Sequence, residues 1–386
     1  MIKTRDVVIC IICILLVSTG TMLWIDNNVQ AKAVEYWSED SVIWKYKLVT
    51  VDTSSFEETK KFADDFIAEN PIYTGPKVVE INMNFAGDCT LGTDTNFGYQ
   101  NQFPQVFDEV QDYGYFFKNM QSLFANDDVT VVNLEGPLTE ETKKTPKAFN
   151  FKGPAHYANI LLSGDIDVVN LANNHTQDYG QKGYDDTLQA LNDYGVPYFG
   201  YDNYYIYEKD GIKVGFMGLT GIWLNDIYTR IDNAINYLKE NECDYIVATF
   251  HWGVEREYAQ NSTQRRVGQY TIDKGADFVV GHHAHVVQGI EEYNGKYIVF
   301  GLGNFCFGGN TNPPDKDCMV FNLKLRYEDG ELVSQVGQVY PARVSSVNNR
   351  NNYQPTLAEG EEFTRILNKI MKYSKVKADE NGVIIE

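Results

Sequence analysis

The chain has 386 residues, of which 43% are hydrophobic and 13% aromatic, enough to bury one large core or two modest ones. A formal net charge of -20 excludes the basic face on which nucleic-acid binders depend and argues against broad adhesion to anionic lipid. Work among anionic or metal-rich surface polymers fits this charge, although acidity is common in soluble proteins.

Lys3 and Arg5 precede VVICIICILLVSTGTMLWI, residues 7–25, an uncharged apolar run about long enough to cross a bilayer as a helix. The positive flank on its N-terminal side predicts that the rest of the chain is translocated out of the cytoplasm. Residues 1–33 therefore read as a membrane anchor or a cleavable signal. Ala31-Lys32-Ala33 resembles a cleavage site, but the run is longer than a usual signal core, which favours retention. Residues 34–76 read as a stalk ending in a short helix over 56–69, announced by the Ser55/Glu58 capping box and stopped at Asn70-Pro71.

From here the pattern alternates. Strand-like runs fall at 79–85, 129–134, 167–172, 213–219, 244–250, 276–281 and 296–303. Helices are expected near 115–125, 155–163, 181–194, 229–241 and 262–275. This order indicates a layered α/β domain over 77–345. A C-terminal tail, 346–386, carries an amphipathic helix over 361–374 and loosely ordered last residues. Of the six cysteines, Cys89, Cys243, Cys306 and Cys318 would be exported, and four thiols allow three complete pairings among which sequence cannot choose.

In open α/β sheets, ligands gather beyond the carboxyl ends of strands. Here the strand exits read Gly87-Asp88-Cys89-Thr90, Asn133-Leu134-Glu135-Gly136, Asn173-Asn174-His175, His251-Trp252-Gly253-Val254-Glu255, Gly281-His282-His283-Ala284-His285 and Gly303-Asn304-Phe305. Five of the six histidines lie in these exits, His156 being the exception. Taken singly, an Asp at a strand end is commonly a cap, an Asn pair a turn, and His251 a satisfied core residue. Together they predict a shared polar site whose carboxylate, amide and imidazole groups suit a divalent cation such as Zn, Mn or Fe. His283 and His285 carry the strongest single signal, because on an extended segment alternate side chains point the same way.

The blocks GDCTLG, NLEGPLT, LANNHTQDYG, HWGVE, GHHAHVVQG and GLGNF, in this order over roughly 80–345, resemble the CapA family of poly-γ-glutamate capsule synthesis proteins. The domain of that family is similar to the calcineurin-like metallophosphoesterases. The resemblance implies a metallophosphatase-like α/β/β/α sandwich beside a membrane-bound polymer synthase. It further implies Asp88, Glu135, Asn174, His251, His283 and His285 as ligands of one or two ions, with His175 as general acid or phosphate contact and Asp178 orienting it. Asn133 stands beside Glu135, and His282 is second to the ligand histidines. Thr90 occupies the place where the family of phosphoesterases has a ligand histidine, which leaves a two-metal clamp unassured.

Three further residues have two readings each. Glu255 could orient His251 or be an exposed loop acid. Arg265 and Arg266 could steer an anionic polymer or form a solvated helix face. Three functions compete on these grounds: a metal-bearing component of poly-γ-glutamate synthesis, a non-catalytic scaffold of the synthase, and a general surface phosphoesterase.

Overall fold

The computed structural model describes residues 76–222 and 224–385, together with the backbone of three short strands, Leu23–Ile25, Gln30–Ala33 and Thr50–Asp52, which pair antiparallel. Apart from those strands, the anchor or signal expected over 1–33 and the stalk and helix expected over 34–76 lie outside the described residues. Among the described residues no helix is long and apolar enough to cross a membrane.

Lys77–Glu386 form one compact unit. Its strands are β1 (Val78–Thr90), β2 (Val129–Leu134), β3 (Val168–Asn170), β4 (Tyr198–Phe199), β5 (Tyr205–Lys209), β6 (Ile212–Thr220) and β7 (Tyr245–His251). They continue as β8 (Phe278–His282), β9 (Ile290–Tyr293), β10 (Lys296–Val299), β11 (Asn304–Phe307), β12 (Asp317–Glu328), β13 (Glu331–Arg343) and β14 (Thr356–Leu357). Eight strands form one sheet in the order β14-β13-β12-β1-β2-β3-β4, with β11 added against β1. Six form the other, β5-β6-β7-β8-β10-β9. The central pairs of both sheets, β1-β2-β3 and β6-β7-β8, run parallel, so their carboxyl ends fall on one edge.

The sheets stack face to face. Val79, Ile81, Met83 and Phe85 of β1 share a buried cluster with Tyr245, Val247, Phe278 and Val280 of the second sheet. Aromatic rings span the gap: Phe85 and Phe278 have centroids 4.8 Å apart, and Phe278 stacks on Phe321 at 5.4 Å. Helices α1 (Phe103–Val110), α2 (Gln121–Phe124), α3 (Ala158–Ser163) and α4 (Gly180–Tyr194) cover the outside of the larger sheet. Helices α5 (Ile227–Glu240) and α6 (Ser262–Lys274) cover the smaller one. The architecture is layered α/β, as the alternating pattern led us to expect, with the two sheets between two helical layers.

Period-two alternation decides which side chains face the gap. In β2, Val129 and Val131 face the inter-sheet core and Val132 and Leu134 face the helices, which leaves Asn133 on the inner side. The same parity turns Asn170, His251 and His282 inward. In β1 the inward set ends at Phe85, yet Ala86 and Cys89 both face the helices. A register shift between Phe85 and Asp88 reverses the phase, and it is this bulge that turns Asp88 toward the second sheet.

Three parts of the fold differ from the sequence expectation. The strand expected over 296–303 ends at Val299, as β10 of the smaller sheet; the chain turns at Gly303, with φ 81°, and the next strand, β11, joins the larger sheet. The helix near 115–125 is a 3-10 turn, Tyr113–Met120, followed by the short α2. The β12–β13 hairpin and α1 carry no element in the sequence reading. The tail folds onto the same unit. Helix α7 (Gly360–Tyr373) buries Ile366, Leu367 and Ile370 in the inter-sheet cluster, and the last residues form a small hairpin, Lys377–Ala378 with Ile384–Ile385. Cys89, Cys243, Cys306 and Cys318 are free thiols.

Candidate metal centre

The inward row of the larger sheet is Asn304, Asp88, Asn133 and Asn170, each the register partner of the next. The facing row of the smaller sheet is Thr220, His251 and His282. Close approach at β1 is enforced by glycine: a Cβ on Gly87 would lie 2.0 Å from the Gly303 carbonyl oxygen, and the Asp88 N–H donates to that same oxygen at 3.0 Å.

Around this junction the exits converge. His251 Nε2 and His283 Nδ1 are 3.0 Å apart. Glu135 Oε1 lies 3.6 Å from His251 Nε2, 3.8 Å from His175 Nε2 and 3.9 Å from His285 Nε2. Asp88 receives the Asn133 amide at 2.8 Å and the His283 N–H at 3.3 Å, with His282 Nδ1 and His285 Nδ1 each 3.4 Å away. The Asn133 carbonyl accepts from Asn170 and Asn173 at 2.9 and 3.2 Å, so its amide nitrogen must point at Asp88. Asn304 accepts from His285 Nδ1 at 2.8 Å, which leaves Nε2 of that ring facing Glu135.

These residues fit a cation. Both carboxylate oxygens of Glu135 are fully buried and have no hydrogen-bond partner, an arrangement that is costly unless a proton or a positive ion answers it. Glu135, His283 and His285 each offer a donor atom, and the three lie within 4.8 Å of one another. Protonation follows the same logic. Burial, then the charge of Asp88, raises the Glu135 carboxyl well above its usual range. Burial also pushes Asp88 up, but His282 and His285 outweigh it and hold that carboxyl well below the usual range. Burial, then the neighbouring His283, pushes His251 well down, while His283 is lowered by burial and by His285. His285 resists its own burial and rises to about 9 because Glu135 and Asp88 face it.

Beside the cluster, His175 Nδ1 sits 2.8 Å from Asp178 Oδ2, and its Nε2 faces Glu135. Asp178 also accepts the Phe151 N–H at 2.6 Å and pairs with Lys147, whose ammonium donates to the Asn174 carbonyl at 2.8 Å. Burial lowers the His175 imidazole, only partly opposed by Asp178. Nothing in the sequence marks Lys147, one of several lysines in a polar loop. Asn170, which has no block of its own, shows only through its place in the register row.

Several expected placements change. Strand β8 ends at His282, and His283 and His285 adopt φ of 90° and 57°, so they reach the cluster through left-handed turns and not by alternation along an extended strand. Asn174 is exposed, and it is Asn173 that is buried against Asn133 and the Leu134 carbonyl. The Thr90 hydroxyl donates to the Glu135 carbonyl at 2.8 Å and props that loop. Glu255 is an exposed residue of the cleft wall and makes no bond to His251. Arg265 pairs with Glu291 at 2.7 Å and Arg266 with the Tyr228 hydroxyl at 3.2 Å, and neither lines the cleft.

His175, His285 and Asn304 open into a cleft of about 1060 Å³. One wall is aromatic: Phe151 lies 4.6 Å from the His175 ring and Phe307 5.0 Å from that of His285, with exposed Phe97 and Phe149 at the mouth.

Fold and site together define a layered α/β protein with an acid–imidazole cluster of the kind that accepts divalent cations. The chain belongs to the family described as bacterial capsule synthesis protein PGA_cap, whose family model matches residues 82–309. It is 26% identical over 275 residues to the capsule biosynthesis protein CapA of Bacillus anthracis, a match covering 64% of each chain. It is 28% identical over 267 residues to the PGA biosynthesis protein CapA of Bacillus subtilis, covering 63% of this chain and 68% of that one. A probable polyglutamine synthesis accessory protein of Mycobacterium tuberculosis is 27% identical over 258 residues, covering 56% of this chain and 66% of that one.

Proposed function

We propose that the protein is a membrane-anchored component of poly-γ-glutamate synthesis or export. Its domain faces away from the cytoplasm beside a membrane-bound synthase, and its cluster takes a divalent cation, Mn, Zn or Fe. One observation carries the site: a fully buried Glu135 carboxylate without a hydrogen bond, faced by three imidazole nitrogens within 4 Å. The family and the names of its relatives support the polymer, and the apolar run over 7–25 supports the anchor.

Asp88, Glu135, His251, His283 and His285 would hold the ion. When bound, it would supply Lewis-acid polarisation and a water of lowered pKa. The chain's own residues do the remaining work. Asn133 fixes one oxygen of Asp88, Asn304 fixes the tautomer of His285, and Asp178 holds His175 so that its Nε2 faces the cluster, placed to give a proton to a leaving group. The rings of Phe151 and Phe307 would cover one side of any chain lying across His175.

A second reading has a specific observation behind it. Thr90 is turned away to the Glu135 backbone and Asn174 is exposed, so two ligands of a two-metal phosphoesterase are missing. The domain would then bind a cation and polymer as a scaffold without turnover. The test is complementation with Asp88→Ala and Glu135→Ala, combined with elemental analysis of the purified proteins. Loss of bound metal together with loss of polymer supports the first reading, and loss of metal with normal polymer output sinks it. Chelator-sensitive turnover of an aryl phosphate would instead favour a general phosphoesterase.

A further inference from the structure

The cleft continues past the acid–imidazole cluster to the root of the β12–β13 hairpin, where a second set of charges lines it. Asp317 and Arg343 are register partners there, and the Val344 N–H donates to the Lys316 carbonyl at 2.9 Å, so Lys316, just before β12, lies beside the end of β13 that carries Arg343. Their neighbours are spoken for. Arg365 grips Asp317 through two bonds of 2.8 and 2.7 Å, and Lys369 reaches Asp315 and Asp317 at 2.6 and 2.9 Å.

Lys316 and Arg343 are held less tightly. The Arg343 side chain is only 17% exposed, yet its guanidinium makes no hydrogen bond among the described residues. Its ion-pair partner, Glu362, is 3.4 Å from Nε and is shared with Arg365 at 3.6 Å. Lys316 meets only neutral oxygens, Asn312 Oδ1 at 2.7 Å and the Pro313 carbonyl at 3.0 Å. Burial, then the positive charge of Arg343, pushes its ammonium down. The Arg343 guanidinium is half-buried and lines the cleft, so donors now left to solvent there can turn to an anion without breaking a hydrogen bond within the protein. In a chain of net charge -20, two cations left together facing a cleft call for an anion from outside.

We propose that Lys316 and Arg343 form an oxyanion subsite that holds a carboxylate or phosphate group of a ligand lying along the cleft toward His175 and His285. The identity of that ligand as an oligoglutamate rests on the function proposed above; the subsite itself does not. Oxyanion binding here needs no metal, since neither residue belongs to the cluster.

The test uses the full chain in detergent, stripped with EDTA, titrated separately with a γ-linked oligoglutamate and with inorganic tripolyphosphate. Wild type is compared with Lys316→Gln/Arg343→Gln, with Lys316→Gln alone in case the double variant does not fold, and with Lys182→Gln on an exposed helix face as control. The expected result is about tenfold weaker oligoglutamate binding in the double variant and several-fold in the single one, with the control unchanged. Tripolyphosphate binding that needs both cations, without any oligoglutamate binding, keeps the subsite and overturns the polymer reading. Affinities that are unchanged in the variants, or absence of binding to EDTA-treated wild type, overturn the subsite.

Discussion

His251 Nε2 and His283 Nδ1 face each other across 3.0 Å, although one ends a strand of regular register and the other sits at φ 90° in a turn. Only one proton can be shared between the two rings, and burial keeps both of them from charging. A cation answers the pair better than a proton, and so does the carboxylate beside it. Adding Mn or Zn at a hundredfold excess over Kd should therefore stabilise the protein by about 2.7 kcal/mol, visible as a rise in Tm. Glu135→Ala and His283→Ala should lose both the bound metal and that rise. An equal metal-induced rise in Glu135→Ala would rule the cluster out as the site.

Strand β1 depends on a contact with no room for a side chain. Gly87→Ala would place a methyl 2.0 Å from the Gly303 carbonyl, backbone against backbone. We expect destabilisation above about 2 kcal/mol and loss of metal together, because the same contact positions Asp88. Chemical denaturation and elemental analysis check both; full stability with normal metal content would contradict the structure at this junction.

Asp127 gives a pH signature away from the cluster. Burial, opposed by bonds from Thr130 and Asn84 and reinforced by Asp167 and Asp128, raises its carboxyl from 3.8 to about 7. A folded-state value above the unfolded one means that the folded protein binds more protons. The contribution is present below pH 4 and is lost as pH rises to about 7. Asp127→Asn keeps an acceptor for both partners and should be more stable than wild type at pH 8 by about 1 kcal/mol after allowance for solvent screening, with the difference vanishing near pH 4. Parallel Tm curves against pH would refute this.

Arg265 has a structural task. With Lys375 and Gln260 it surrounds the buried carboxylate of Glu291 at 2.7, 2.9 and 2.9 Å. Arg265→Ala should lower stability by about 1 kcal/mol and leave polymer output unchanged. Reduced output from a stable variant would return Arg265 to the ligand path.

Much of the layered core was legible, because alternation in β1, short apolar runs in β2 and β7 and the helical segments between the strands are local signals. The β12–β13 hairpin was not read, although Phe321, Leu323, Leu325 and Tyr327 alternate with polar residues and face the core; its partner strand β13 is mostly exposed over its first half and carries a weaker signal. At the site, the exits pointed to Asp88, Glu135, His251, His283 and His285, and these residues do meet. Two things were hidden. The bulge that turns Asp88 inward is a register event between strands, and the turns that bring in His283 and His285 depend on backbone angles that no side-chain pattern announces. Asn173 and Asn174 are chemically alike, so only tertiary contact could tell the buried one from the exposed one.

The rings of Phe85, Phe278 and Phe321 act as a calliper. Asp88 rides on one jaw and His251 on the other, so the width of this apolar spacer sets the bore available to any ion. Trimming Phe278 to Leu would narrow or skew that bore from a distance, and altered preference among cations of different radius, with every polar residue intact, is how such a change would make itself known.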